Sequence, residues 1–151
     1  MRIASDFLVY GEQRPRRYSN QDILRDVVRF SSDIEFKFGP ATEAWELKGV
    51  VFRDEDKSPC IFYPDDFPGK VMINLTANAV CDIDYARFQL AHEMVHCISP
   101  FGTASAKVFE EGMAAWYQQR LAVKELDNRV KLNDEKYIAA RRLFNRMQKK
   151  K

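Results

Sequence analysis

Both histidines of the chain, His92 and His96, lie in the run AHEMVH, four residues apart with Glu93 between them. On a helix, residues four apart share one face a turn apart, so two imidazole nitrogens can converge on a single metal ion. The glutamate beside the first histidine then stands where a general base for an activated water is needed. Zn²⁺ takes such ligands, and a catalytic zinc uses three protein ligands and one open position. No histidine is left over, so the third ligand has to be a carboxylate.

Two carboxylates follow in the run FEEGMAAW, Glu110 and Glu111. An HExxH helix followed by a Glu-Gly helix ending in an aromatic residue resembles the gluzincin metallopeptidases, the group that contains thermolysin and the zinc aminopeptidases. In the aminopeptidases the ligand is the Glu directly before the Gly, so the resemblance implies Glu111 as third ligand, with Glu110 orienting a ligand histidine from behind. It is confined to the stretch from Ala91 to Trp116 and departs from the family at two points. Only 14 residues separate His96 from Glu111, fewer than in familiar members, and Ala115 stands where thermolysin has an Asp.

The resemblance further implies a zincin-like α+β fold: a small mixed or antiparallel sheet packed on an N-terminal helix, a buried HExxH helix, a second helix carrying the Glu ligand, and a C-terminal helix. It also implies a peptidase with one Zn²⁺ per chain acting on a peptide or protein. Zinc polarises the scissile carbonyl and acidifies water, and Glu93 relays the proton to the leaving amine. The motif leaves open which group stabilises the oxyanion. Tyr63, Tyr85, Tyr117 and Tyr137 are candidates, and Gln89 shares the polar sector of the HExxH helix with the two histidines. The absence of a third histidine excludes relatives whose third ligand is His, the metzincins and SprT-like proteases among them. Two other readings compete. One is a regulatory protease like the ImmA/IrrE peptidases that cleave repressors, and the other is a zinc-stabilised binding module without turnover, which the intact Glu93 opposes.

The scaffold that must position these residues is small. At 151 residues, 46% hydrophobic and 30% charged, the composition is that of one soluble globular domain, residues 1–151. The chain shows no signal-peptide pattern and no membrane-spanning run, so a cytoplasmic location is expected. Cys60, Cys81 and Cys97 are odd in number and have no C-x-x-C spacing, which predicts free thiols. A net charge of +2 gives no reason to expect a nucleic-acid partner. The cations of the tail, Arg141, Arg142, Arg146 and Lys149 to Lys151, read as a solvated helix end.

In chain order, residues 3–10 read as an irregular lead-in or a short strand. Ser19 or Asn20 can cap a helix whose stripe is Ile23, Val27, Phe30 and Ile34. Three strand-like runs follow, Trp45 to Phe52, Pro59 to Tyr63 and Val71 to Thr76, with the charged run Arg53 to Lys57 read as a hairpin turn. By position, Val71 to Thr76 is the expected edge strand, offering the backbone of Ile73, Asn74 and Leu75 to a substrate by strand addition. Asp82 or Asp84 caps the HExxH helix, expected to reach Ile98, and Thr103 or Ser105 opens the next. Small residues at Gly112, Ala114 and Ala115 should let the two zinc-bearing helices approach. Asn133 or Asp134 starts the last helix.

Overall fold

The computed structural model describes residues 1–100 and 107–150. Among the described residues, four helices accompany a four-stranded mixed sheet in a mixed α+β fold. Strand β1 (Arg2–Tyr10) leads through helix α1 (Asn20–Phe38) to β2 (Glu46–Arg53), and β3 (Cys60–Phe62) and β4 (Lys70–Thr76) complete the sheet. A 3₁₀ turn (Ala77–Val80) then delivers the chain to α2 (Ile83–His96), followed by α3 (Val108–Glu125) and α4 (Glu135–Gln148).

The sheet order is β1-β2-β4-β3, with β1, β2 and β4 parallel and β3 antiparallel to β4. Residues 3–10 are thus most of a nine-residue strand that pairs with β2 up to Tyr10 and Val51. Two sequence expectations are corrected here. The run Arg53 to Lys57 is not a hairpin turn, since β2 and β3 are not neighbours; the hairpin joins β3 to β4 through residues 63–69. Strand β4 is internal, because Ile73 and Asn74 pair with β2 on one side and β3 on the other, while Leu75 pairs with Phe52 of β2. The edge nearest the HExxH helix is the short strand β3.

Helix α1 forms where the sequence places it. Ser19 accepts from the Asp22 amide while the Asp22 side chain accepts from the Ser19 amide, a capping box that satisfies two N-terminal donors. Its stripe of Ile23, Val27, Phe30 and Ile34 is fully buried on Leu47 and Val50 of β2 and Val71, Ile73 and Leu75 of β4. Each such side chain removed from water contributes about 1.5–3 kcal/mol.

Helix α2 enters the same core through Ala86, Leu90, Ala91, Met94 and Val95, and every residue from Leu90 to Cys97 is buried. Asp82 caps it by accepting from the amides of Asp84 and Tyr85, and it ends at His96 rather than at Ile98. Helix α3 starts at Val108 after Lys107, which makes no side-chain cap; the expectation that Thr103 or Ser105 opens it falls outside the described residues. Asp134 caps α4.

The role expected of Gly112 changes. A Cβ there would meet the carbonyl oxygen of Ala140 at 2.5 Å and the Cβ of Phe144 at 2.9 Å, so the glycine lets α4, not α2, lie against α3. Ala114 and Ala115 are fully buried, and Trp116 and Phe109 meet the ring of Phe144 on α4 at centroid distances of 5.9 and 5.4 Å.

Candidate metal centre

Helices α2 and α3 bring His92, His96 and Glu111 together, with one ligand atom of each lying within 4.8 Å of the other two. His92 Nε2 is 3.1 Å from Glu111 Oε2, and His96 Nε2 is 3.5 Å from the same oxygen. Bonds of about 2.0–2.2 Å to a tetrahedral zinc hold ligand atoms about 3.3–3.6 Å apart. The 3.5 Å spacing falls within that range and the 3.1 Å spacing, a hydrogen-bond distance, lies just below it.

Each imidazole is oriented from its far side. Gln118 sends its Nε2–H to the Phe88 carbonyl at 3.2 Å, which turns its Oε1 toward His92 Nδ1 at 2.8 Å. The Gln118 oxygen can only accept, so His92 Nδ1 carries a proton, and Nε2 is left as the nitrogen that faces Glu111. His96 Nδ1–H donates to Glu110 Oε1 at 2.7 Å, and its Nε2 likewise faces Glu111. Such outer contacts fix the tautomer and raise ligand basicity in metal sites. Gln118 is absent from the sequence expectations as a site residue, although a signal existed: it lies two helical turns after Glu111, on the same side of α3.

The charge of the cluster is unbalanced. Glu93, Glu110 and Glu111 surround two imidazoles, and both histidines and Glu93 are buried. Burial opposes a charge on His96, yet hydrogen bonds to Glu110 and Glu111 push its pKa up to about 10. Burial also pushes the Glu111 carboxyl up, but the hydrogen bonds from His92 and His96 outweigh it and hold Glu111 well below the usual range. Burial raises Glu93, against the pull of the two histidines. The pocket thus favours positive charge at its centre, and its two nitrogens and one carboxylate are a donor set that fits zinc.

The cleft beside the cluster, about 210 Å³, is lined by His92, Glu93, Gln89 and Gln118 on the helix side, with Ser58 and Pro59 leading into β3 and Tyr137 on α4. Of the tyrosine candidates, Tyr137 packs against a candidate ligand, its ring tilted on that of His92 with centroids 4.9 Å apart. Burial, then Glu111 and Glu93, push its phenol up to about 12. Tyr85 lines the same cleft, with Arg129 over its ring. Tyr63 packs on Trp45.

Three sequence candidates serve elsewhere. Tyr117 faces away from the cluster: its ring meets Phe30 of α1 edge-on at 6.2 Å, and its hydroxyl pairs with Asp33. Gln89 clamps the end of β4, accepting from the Thr76 amide at 3.0 Å and donating to the Thr76 carbonyl at 2.9 Å, so its amide is occupied. Ile73, Asn74 and Leu75 belong to an internal strand; the side chains of Ile73 and Leu75 are core, and the sheet holds the backbone. All three cysteines are free, and Cys97 is buried. No described helix is long and apolar enough to cross a membrane.

Comparison with known proteins yields no match: no family model fits the chain, and neither a curated protein nor a solved structure matches it.

Proposed function

We propose that the protein is a zinc-dependent peptidase of gluzincin type, with His92, His96 and Glu111 as metal ligands and Glu93 as general base. The observation that carries this reading is the convergence of two imidazole nitrogens and one carboxylate, each histidine oriented through Nδ1, with Glu93 buried beside them. A zinc ion bound there supplies Lewis acidity, which acidifies water and polarises a carbonyl.

The chain's own groups supply the rest. Glu93 takes a proton from the attacking water on its carboxylate and returns it to the leaving amine. Gln118 and Glu110 hold the imidazoles in register. Tyr137, against His92 and open to the cleft, is the phenol positioned to donate a hydrogen bond to developing negative charge. The location of β3 beside the cleft moves the backbone-docking role from β4 to the Cys60–Phe62 edge, where an extended peptide can add as a strand.

A zinc-content assay paired with digestion of a peptide library, wild type against Glu93→Gln, tests the proposal. The expected result is zinc in both proteins and cleavage by the wild type alone, the variant falling by about 10²–10⁴-fold. Wild-type protein that binds zinc stoichiometrically but cleaves nothing in the library would leave the binding module as the better reading.

A further inference from the structure

On the side of α3 away from the metal cluster, a groove between α3 and α4 encloses a cavity of about 260 Å³. Arg120 and Lys124 of α3 and Arg141 of α4 line it, no carboxylate does, and its apolar wall is Trp116 and Val123. None of these three cations forms an ion pair among the described residues. Glu125, the acid next to Lys124, is taken by Arg29 and Arg87. The Nε–H of Arg141 is buried without an acceptor, and the Arg120 guanidinium lies over the Trp116 ring at 4.8 Å.

Arg120 and Lys124 are exposed, as Arg142 and Arg146 are, but with Arg141 of the facing helix they line one concavity that no carboxylate lines, and Arg141 keeps a buried Nε–H without an acceptor there. A planar guanidinium fork matches the oxygens of a phosphate, and an ammonium adds a point charge. Asn145, on the same wall, adds an amide donor. The cavity lies just below the usual range of small-molecule pockets, about 300–1,000 Å³, so it admits one phosphate group and a short body, not a length of polymer.

We propose that this groove binds a small phosphate monoester, its phosphate held by Arg120, Lys124 and Arg141 and its apolar part laid against Trp116 and Val123. The site is separate from the zinc ligands, and the proposal stands whether or not the chain is a peptidase.

Trp116 reports on the groove directly, because Trp45 is the chain's other tryptophan. In a Trp45→Phe background, phenyl phosphate titrated into the full chain should change Trp116 fluorescence saturably with one site per chain. Inorganic phosphate, lacking the apolar body, should bind about tenfold more weakly. Arg120→Gln combined with Arg141→Gln should raise the phenyl phosphate Kd by at least about tenfold, whereas Arg142→Gln combined with Arg146→Gln should leave it within about twofold. Phenyl phosphate should also raise the melting temperature of the parent and not of the Arg120/Arg141 variant, and Lys124→Gln alone should give an intermediate Kd. Absence of saturable binding would overturn the proposal. So would a duplex oligonucleotide binding more tightly than phenyl phosphate and losing affinity equally in both double variants, the behaviour of a diffuse polyanion surface.

Discussion

Two polar networks tie the helices of this protein together, and they differ in whether their charges close. On one side of α2, Asp26 and Arg29 of α1 meet Arg87 of α2 and Glu125 of α3: Arg87 Nε lies 3.0 Å from Asp26, Arg87 Nη2 2.8 Å from Glu125, and Arg29 Nη2 2.8 Å from Glu125. Tyr18 adds a hydrogen bond to Asp26 at 2.7 Å. Two carboxylates face two guanidiniums, so the belt is complete in itself. On the other side, Glu93, Glu110 and Glu111 crowd two imidazoles, and among the described residues no lysine or arginine pairs with these three carboxylates. Burying like charges is costly unless something neutralises them. A network that closes serves stability; one left with excess carboxylates lowers it, and the proposed metal is what would offset that cost.

The sharpest way to break this comparison is at Glu111. Glu111→Ala or His92→Ala should abolish tight zinc binding, while the belt keeps the chain folded. Circular dichroism beside a zinc titration checks both halves. The next effect is smaller: Glu110→Ala and Gln118→Leu remove orienting contacts only and should weaken zinc affinity by about 10–100-fold. If Glu110→Ala lost the metal while Glu111→Ala retained it, the third ligand would move to Glu110.

The belt should answer in the other currency. Asp26→Asn leaves Arg87 without one of its two carboxylates, at a site where the Asp26 side chain is only 12% exposed. The expected loss is about 2–3 kcal/mol of unfolding free energy, read from urea melts, with zinc stoichiometry unchanged. Reduced zinc content in folded Asp26→Asn would mean that the two networks are one.

The sequence made the two networks unequally visible. His92, Glu93 and His96 sit within one turn and a bit of helix, and Glu111 lies one helix on, so local periodicity carries most of the cluster. Gln118 needed a second step, from Glu111 two turns along α3. The belt left no local trace, since Asp26, Arg87 and Glu125 are distant in sequence and meet only after α1, α2 and α3 have packed. The sheet shows the same limit. Alternation located β2, β3 and β4, but strand order depends on which neighbours bury which face. A short strand returning antiparallel reads in sequence like the partner of the strand before it. Gly112 was legible as a close contact; its partner, α4, was not.

The smallest expected effect concerns the belt's exposed end. Hydrogen bonding to Arg29 holds the Glu125 carboxyl below its ordinary value of 4.5, and Arg87 works in the same direction against partial desolvation. A folded-state pKa below the unfolded one means that the contribution is fully present above the unfolded value. It is lost as pH falls from about 4.5 through the depressed folded value. The Glu125 side chain is a third exposed, so solvent screening limits the term to less than about 1 kcal/mol. Glu125→Gln should lower stability by that amount at pH 7 and by progressively less as the pH falls below 4.5. Urea midpoints of the two proteins, measured across that range in low salt, should therefore converge on the acid side. A constant gap would mean that Glu125 contributes through packing and geometry instead of charge, and the claim that the belt is an electrostatically closed circuit would then rest on Asp26 alone.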